Sequence, residues 1–93
     1  MFQKFITRDF IEKFISLGNR IANVQIKHAL YGNQKLNKCV LRPFMDGECI
    51  GLIMDDGEKK YITMDELCNV SINELECIIK SDVMELYINY SEL

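Results

Sequence analysis

Between residues 8 and 17 the apolar positions recur at helical spacing. At about 100° per residue, Phe10, Ile11, Phe14, Ile15 and Leu17 fall within one arc, and Arg8, Asp9, Glu12, Lys13 and Ser16 occupy the other. Thr7 is placed to cap this helix, with Asp9 in its first turn to meet the positive end of the dipole. Ile6 and Ile11 stand at the positions of a hydrophobic staple, and Gly18 fits the stop. Phe2 and Phe5 do not continue the stripe, so residues 2–6 are expected to be extended.

Past residue 20 the period changes to two. Ala22, Val24, Ile26, His28 and Leu30 alternate with Asn23, Gln25, Lys27 and Ala29, the pattern of a half-buried strand. Residues 31–37 read as a loop, and residues 38–45 as a second strand whose Pro43 demands an edge or a bulge. Asp46-Gly47 and Asp56-Gly57 then stand between apolar runs. Such pairs signal hairpins with type I′ turns, so 38–45, 48–54 and 59–63 should form a meander. Thr63 to Leu67 reads as one capped turn, and Val70 and Ile72 resume the alternation. Ser71 and Glu74 match a capping box, which argues for a helix over 74–80. The alternation of Leu75, Cys77 and Ile79, and of Met84, Leu86, Ile88 and Tyr90 after Ser81-Asp82, argues instead for a last hairpin, and the hairpin is the expectation taken here.

These elements predict an α+β, mainly β fold. An N-terminal amphipathic helix is followed by a five- or six-stranded antiparallel small barrel or strongly curled sheet, in a single domain over 1–93. From Asp56-Gly57 through Ile72 the strand rhythm resembles, in outline, the later strands of Sm-like and SH3-like barrels, including the YolD-like group of small bacterial proteins. The resemblance is one of pattern, without a diagnostic motif, and it implies a fold and no activity.

Charge divides the chain. Residues 1–45 hold eight Lys/Arg against Asp9 and Glu12, a balance of +6; residues 46–93 hold twelve acids against three lysines, a balance of −9. The net charge of −3 hides this split, which bears on partners and self-association rather than on fold. The apolar runs fall far short of a spanning helix, and charges interrupt the N-terminus, so the cytoplasm is the expected compartment. Cys39, Cys49, Cys68 and Cys77 are too widely spaced for zinc-ligand pairs and sit among apolar neighbours, which suits reduced, buried thiols and no cofactor. Eight lysines to three arginines, with twelve Ile and seven Asn, is the usage of AT-rich codons, as in a low-GC bacterium, its phage or its plasmids.

Little supports catalysis. His28 is the only histidine, it shares the alternation of a buried strand face, and there is neither a nucleophile elbow nor a phosphate loop. Asp46 with Glu58 and Lys60 resembles the carboxylate and Glu-x-Lys pattern of a metal-dependent nuclease, the third reading. The second is a small barrel binding RNA or single-stranded DNA through Tyr31, Lys35, Lys38 and Arg42. The leading expectation is a small non-enzymatic binding or regulatory protein, of the inhibitor kind that a phage or other mobile element encodes. It would dock on another protein with a basic surface through Asp55, Asp56, Glu58, Asp65 and Glu66, with Tyr61 or Met54 as an apolar anchor. The broad apolar arc of the helix also suggests a homodimer through helix or edge strand, and no membrane contact is expected.

Overall fold

The structure, a computed structural model, describes residues 6–90 apart from the side chain of Cys68. The expected extended stretch at 2–6 lies almost wholly outside these residues. Thr7 caps α1 (Arg8–Ile15) as its hydroxyl allows: the backbone is extended there, and Oγ1 accepts from the Phe10 N–H at 3.0 Å. Phe10 and Phe14 face inward with their rings stacked 5.7 Å apart, and Leu17 is buried beyond them. Ile11 and Ile15 keep 36% and 46% of their surface exposed, so the apolar arc is wider than the ground it covers. Gly18 is not the left-handed stop. Turns from Leu17 to Phe14 and from Gly18 to Ile15 tighten the chain past the cap, and Asn19 takes the positive φ of 70°.

Eight strands follow in two antiparallel sheets: β1 (Ile21–His28), β2 (Gly32–Val40), β3 (Pro43–Met45), β4 (Cys49–Ile53), β5 (Lys59–Thr63), β6 (Leu67–Ile72), β7 (Glu76–Ser81) and β8 (Met84–Asn89). The larger sheet has the order β2-β1-β8-β7-β6, and the smaller β3-β4-β5. Eight strands therefore replace the expected five or six, and the sheets do not close into a barrel. The stretch 31–37, expected as a loop, is mostly β2. Its Asn, Gln and Lys side chains are poor strand formers, but pairing with β1 from Gly32 to Leu36 overrides that preference. The strand expected over 38–45 is cut at Leu41. Its N–H donates to the Arg20 carbonyl and its carbonyl accepts from Asn19, so the chain turns there and passes to the second sheet. Pro43 opens β3, an edge strand, where its missing N–H is tolerated.

Neither Asp-Gly turn is type I′. Asp46 closes its loop by accepting from the N–H of Glu48 and Cys49 at its own Oδ1, both at 2.8 Å, and Gly47 needs no positive φ. At Asp56-Gly57 only Gly57 is left-handed, at 87°; its N–H reaches the Met54 carbonyl, and Met54 pairs with Glu58. That is a three-residue loop built on a type I turn. The ambiguous stretch 74–80 is resolved as a strand. Asn73 Oδ1 takes the N–H groups of Leu75 and Glu76, which makes a turn where the capping-box reading puts a helix start.

Val24, Ile26, Ile79, Leu86 and Ile88 of the large sheet meet Ile50, Leu52 and Ile62 of the small one, with Phe14 and Leu41 completing the core. Within the small sheet β5 approaches β4 so closely that Gly51 is required: a Cβ there would lie 2.0 Å from the Lys60 carbonyl oxygen. The helix packs on β3 and β6, the two edges on one side.

Candidate functional site

On the other side the two remaining edge strands, β2 and β5, form the lips of an open seam. Two clefts run along it, of about 310 Å³ and 390 Å³, and they meet at Gln34 and Lys60. The first lies between the C-terminal half of β2 and the β4–β5 turn. It brings Lys38 and Arg42 of the basic half of the sequence together with Asp55, Asp56 and Glu58 of the acidic half. The second lies between the N-terminal half of β2 and β5, and it gathers Tyr31, Tyr61 and Glu66 with His28. Across this seam the charge split folds back on itself instead of making two opposed faces.

Local chemistry explains why each lip has its shape. Gly32 at φ 80° ends a tight β1–β2 loop whose Leu30 and Tyr31 N–H groups both point at His28 Nδ1, at 3.0 and 3.4 Å. The His28 ring lies 4.5 Å from that of Tyr31. His28 is thus a turn-closing acceptor at the rim, and the loop leaves Leu30 and Tyr31 more than four-fifths or close to it in solvent, at 80% and 84% exposure. Farther along, β2 bulges: Asn37 and Lys38 stand opposite Asn23 alone, Lys38 takes a left-handed φ of 53°, and its N–H donates to Asn23 Oδ1 at 2.9 Å. On the opposite lip Asp56 Oδ1 accepts from the Glu58 N–H, and Lys60 pairs with Glu58 at 3.2 Å.

The expected protein-binding residues do not form one patch. Asp55, Asp56 and Glu58 precede β5, whereas Asp65 and Glu66 sit on a 3-10 turn (Met64–Glu66) after it; Tyr61 lies between, half exposed. The second group has company, because the Met64 N–H donates to the Glu48 carbonyl and so brings the β3–β4 tip, with Asp46 and Glu48, to that end. The expected nucleic-acid residues also separate. Tyr31 is at the hairpin tip and Lys38 and Arg42 are in the first cleft, while Lys35 pairs in register with Gln25 on the outer face of the large sheet. The nuclease set is not assembled: Asp46 and Glu58 stand at opposite ends of β4, roughly 15 Å of strand apart. Among the described residues no three His, Cys, Asp or Glu converge as cation ligands.

Sequence reasoning missed one cluster. On the outer face Tyr87 lies beneath Lys27 and Lys80, whose Nζ atoms are 5.0 and 5.7 Å from its ring centre, and its hydroxyl donates to Glu85. That bond pushes the Tyr87 hydroxyl above its usual pKa. The alternation of Leu86 and Ile88 inward already implied that Tyr87 points outward; its lysine neighbours come from two other strands and were not legible.

Three cysteines are free thiols. Burial pushes Cys77 up to about 12. Cys39, half-buried in the first cleft, is raised by burial and then by the charge of Asp55; Cys49 is raised chiefly by desolvation. None is an activated nucleophile. Among the described residues no helix is long and apolar enough to cross a membrane. The chain matches no protein-family model, no curated protein and no solved structure.

Proposed function

We propose that this chain is a non-enzymatic docking protein that acts by holding another protein along the β2/β5 seam. One observation carries the reading: Asp55, Asp56 and Glu58 line one cleft of the seam and Tyr61 and Glu66 the other, where Tyr31 is exposed beside the solvent-facing Leu30. Tyrosines beside apolar surface are the composition of interface anchors, since they bury much area at little cost in side-chain freedom. Val83 adds to that mouth, held there by the bond from the Ala29 N–H to its carbonyl. The turn carboxylates at the ends of β5 would meet basic groups of the partner and set its direction along the seam. The regulatory role, the inhibitor character and the mobile-element source remain parts of this proposal.

The test is site-directed photocrosslinking in cells that make the protein. A photoreactive phenylalanine in place of Tyr31 or of Tyr61 should yield an adduct with the same protein, and one in place of Tyr87 should not. Reversing the charges of Asp55, Asp56 and Glu58 together should reduce both adducts. Equal labelling from all three positions, or none from Tyr31 and Tyr61, refutes the reading.

A further inference from the structure

We propose, resting on the docking reading above, that the occupant of the seam is an extended segment of the partner protein that adds to β2 as a new strand, and that it alternates apolar with acidic residues. The backbone supplies the first reason. Each lip is the terminal strand of its sheet, so the outer row of N–H and C=O groups on β2 has no strand beside it, and neither has that of β5. Both rows border the cleft, and an extended chain is the ligand that satisfies such a row along its whole length. The other pair of edges offers no such slot, because α1 lies on β3 and β6 and Pro43 removes a donor from β3.

Side-chain alternation sets the apolar half of the pattern. On β2, Leu36 stands opposite Val24 and packs on the core, and Ile62 is buried on β5. Every second side chain of an inserted strand would point toward these residues. Charge sets the other half. The strand segments of the two lips carry Lys35 and Lys38 on β2 and Lys59 and Lys60 on β5, and no acid within either strand. Lys60 is engaged by Glu58, and Lys59 lies over the Phe44 ring, which leaves the β2 lysines as the main determinants. Asp55, Asp56 and Glu58 line the cleft from the turn before β5, so the partner's basic groups that meet them lie outside the inserted strand. Opposite charges on neighbouring strands attract, so glutamate or aspartate suits its positions beside Lys35, on the outer face of the large sheet. The same lysines argue against a second copy of the chain. Antiparallel pairing of β2 with β2 would bring Lys35 and Lys38 of each copy against those of the other.

The experiment uses the full chain and a capped synthetic peptide alternating valine and glutamate, long enough to span Gly32–Asn37, with a valine–lysine peptide as its counterpart. The glutamate peptide should bind saturably, and hydrogen exchange at β2 amides should slow. Lys35→Glu should weaken it roughly two- to fivefold and strengthen the lysine peptide by a similar factor. N-methylation of every second peptide amide along one edge should abolish binding, which a side-chain-only contact would survive. Equal binding of the two peptides, protection confined to the face around Tyr87, no saturable binding, or a concentration-dependent dimer that protects β2 each overturns the proposal. If the crosslinks from Tyr31 and Tyr61 persist and the glutamate peptide fails to compete with them, docking stands and strand addition falls. If those crosslinks are absent too, both fall.

Discussion

The molecule has two places where its sheets part, and it treats them differently. Between β3 and β6 the gap is filled: α1 lays Phe10 and Phe14 across it, and both rings are buried. Between β2 and β5 it is left open, bordered by lysines, turn carboxylates and two exposed tyrosines. The filled side is apolar and held by the packing of one helix on two strand edges. The open side is assembled from remote hairpins and holds its shape through bonds between side chains and backbone: His28 to the β1–β2 loop, Asn23 to the bulge, Asp56 to the β4–β5 turn. The difference teaches that stability and the recognition proposed here are drawn from opposite flanks of one small core.

The contrast can be broken most severely on the filled side. Phe14→Ala removes a fully buried ring and should cost about 3–5 kcal/mol in a denaturant titration, with α1 released from the sheets. Gly51→Ala attacks the sheet that carries the β5 lip. The added methyl would meet the Lys60 carbonyl, and separating β4 from β5 should cost at least about 2 kcal/mol by the same titration. Ser81→Ala is subtler. Its hydroxyl accepts from the Val83 and Met84 N–H groups and donates to the Met84 carbonyl in a buried turn, and leaving those donors bare should cost roughly 1–3 kcal/mol.

Two smaller tests sharpen the open side. Lys38→Gly relieves the left-handed backbone of the bulge and should raise stability by up to about 1 kcal/mol while leaving the seam with one cation fewer. Any partner that prefers the wild-type chain in spite of this gain is reading the lysine. The last concerns pH. The N–H groups of Glu48 and Cys49 hold the Asp46 carboxyl below the ordinary aspartate range. A lowered folded-state pKa means that its contribution is complete above the unfolded value, near pH 4, and fades as pH falls through the folded one. The protection of the Glu48 and Cys49 amides, relative to their intrinsic exchange rates at each pH, should therefore fall in acid, and Asp46→Asn, which keeps an acceptor at Oδ1, should remove that dependence.

Much of the chain's architecture was legible because it is written in short periods. The helix, its Thr7 cap, the alternation of β1, β7 and β8 and the edge position of Pro43 each follow from neighbours within a few residues. β2 was not legible, since Asn33, Gln34, Lys35 and Asn37 carry no apolar rhythm and are strand only because β1 pairs with them. The break at Leu41 was hidden for the same reason: its hydrogen bonds go to Asn19 and Arg20, some twenty residues back. The site fared similarly. Single residues such as Tyr31, Tyr61 and Asp55 were legible as exposed. That Lys38 and Asp55 line one cleft depends on how two sheets are stacked, which no local pattern encodes.

The pairing of β1 with β8, Asn23 against Asn89 through His28 against Met84, has a consequence for how the protein is born. Among the described strands, the first made waits for the last. Until β8 arrives, the β1–β2 hairpin and the β6–β7 hairpin cannot belong to one sheet, and Ile26 has no neighbour in Leu86. Loop closure over most of the chain makes such contacts late and slow. A chain cut short before Met84 would thus leave the β1–β2 and β6–β7 hairpins unjoined beside the β3-β4-β5 sheet rather than form a smaller version of the fold, and folding, like the proposed docking, is completed by the addition of one strand.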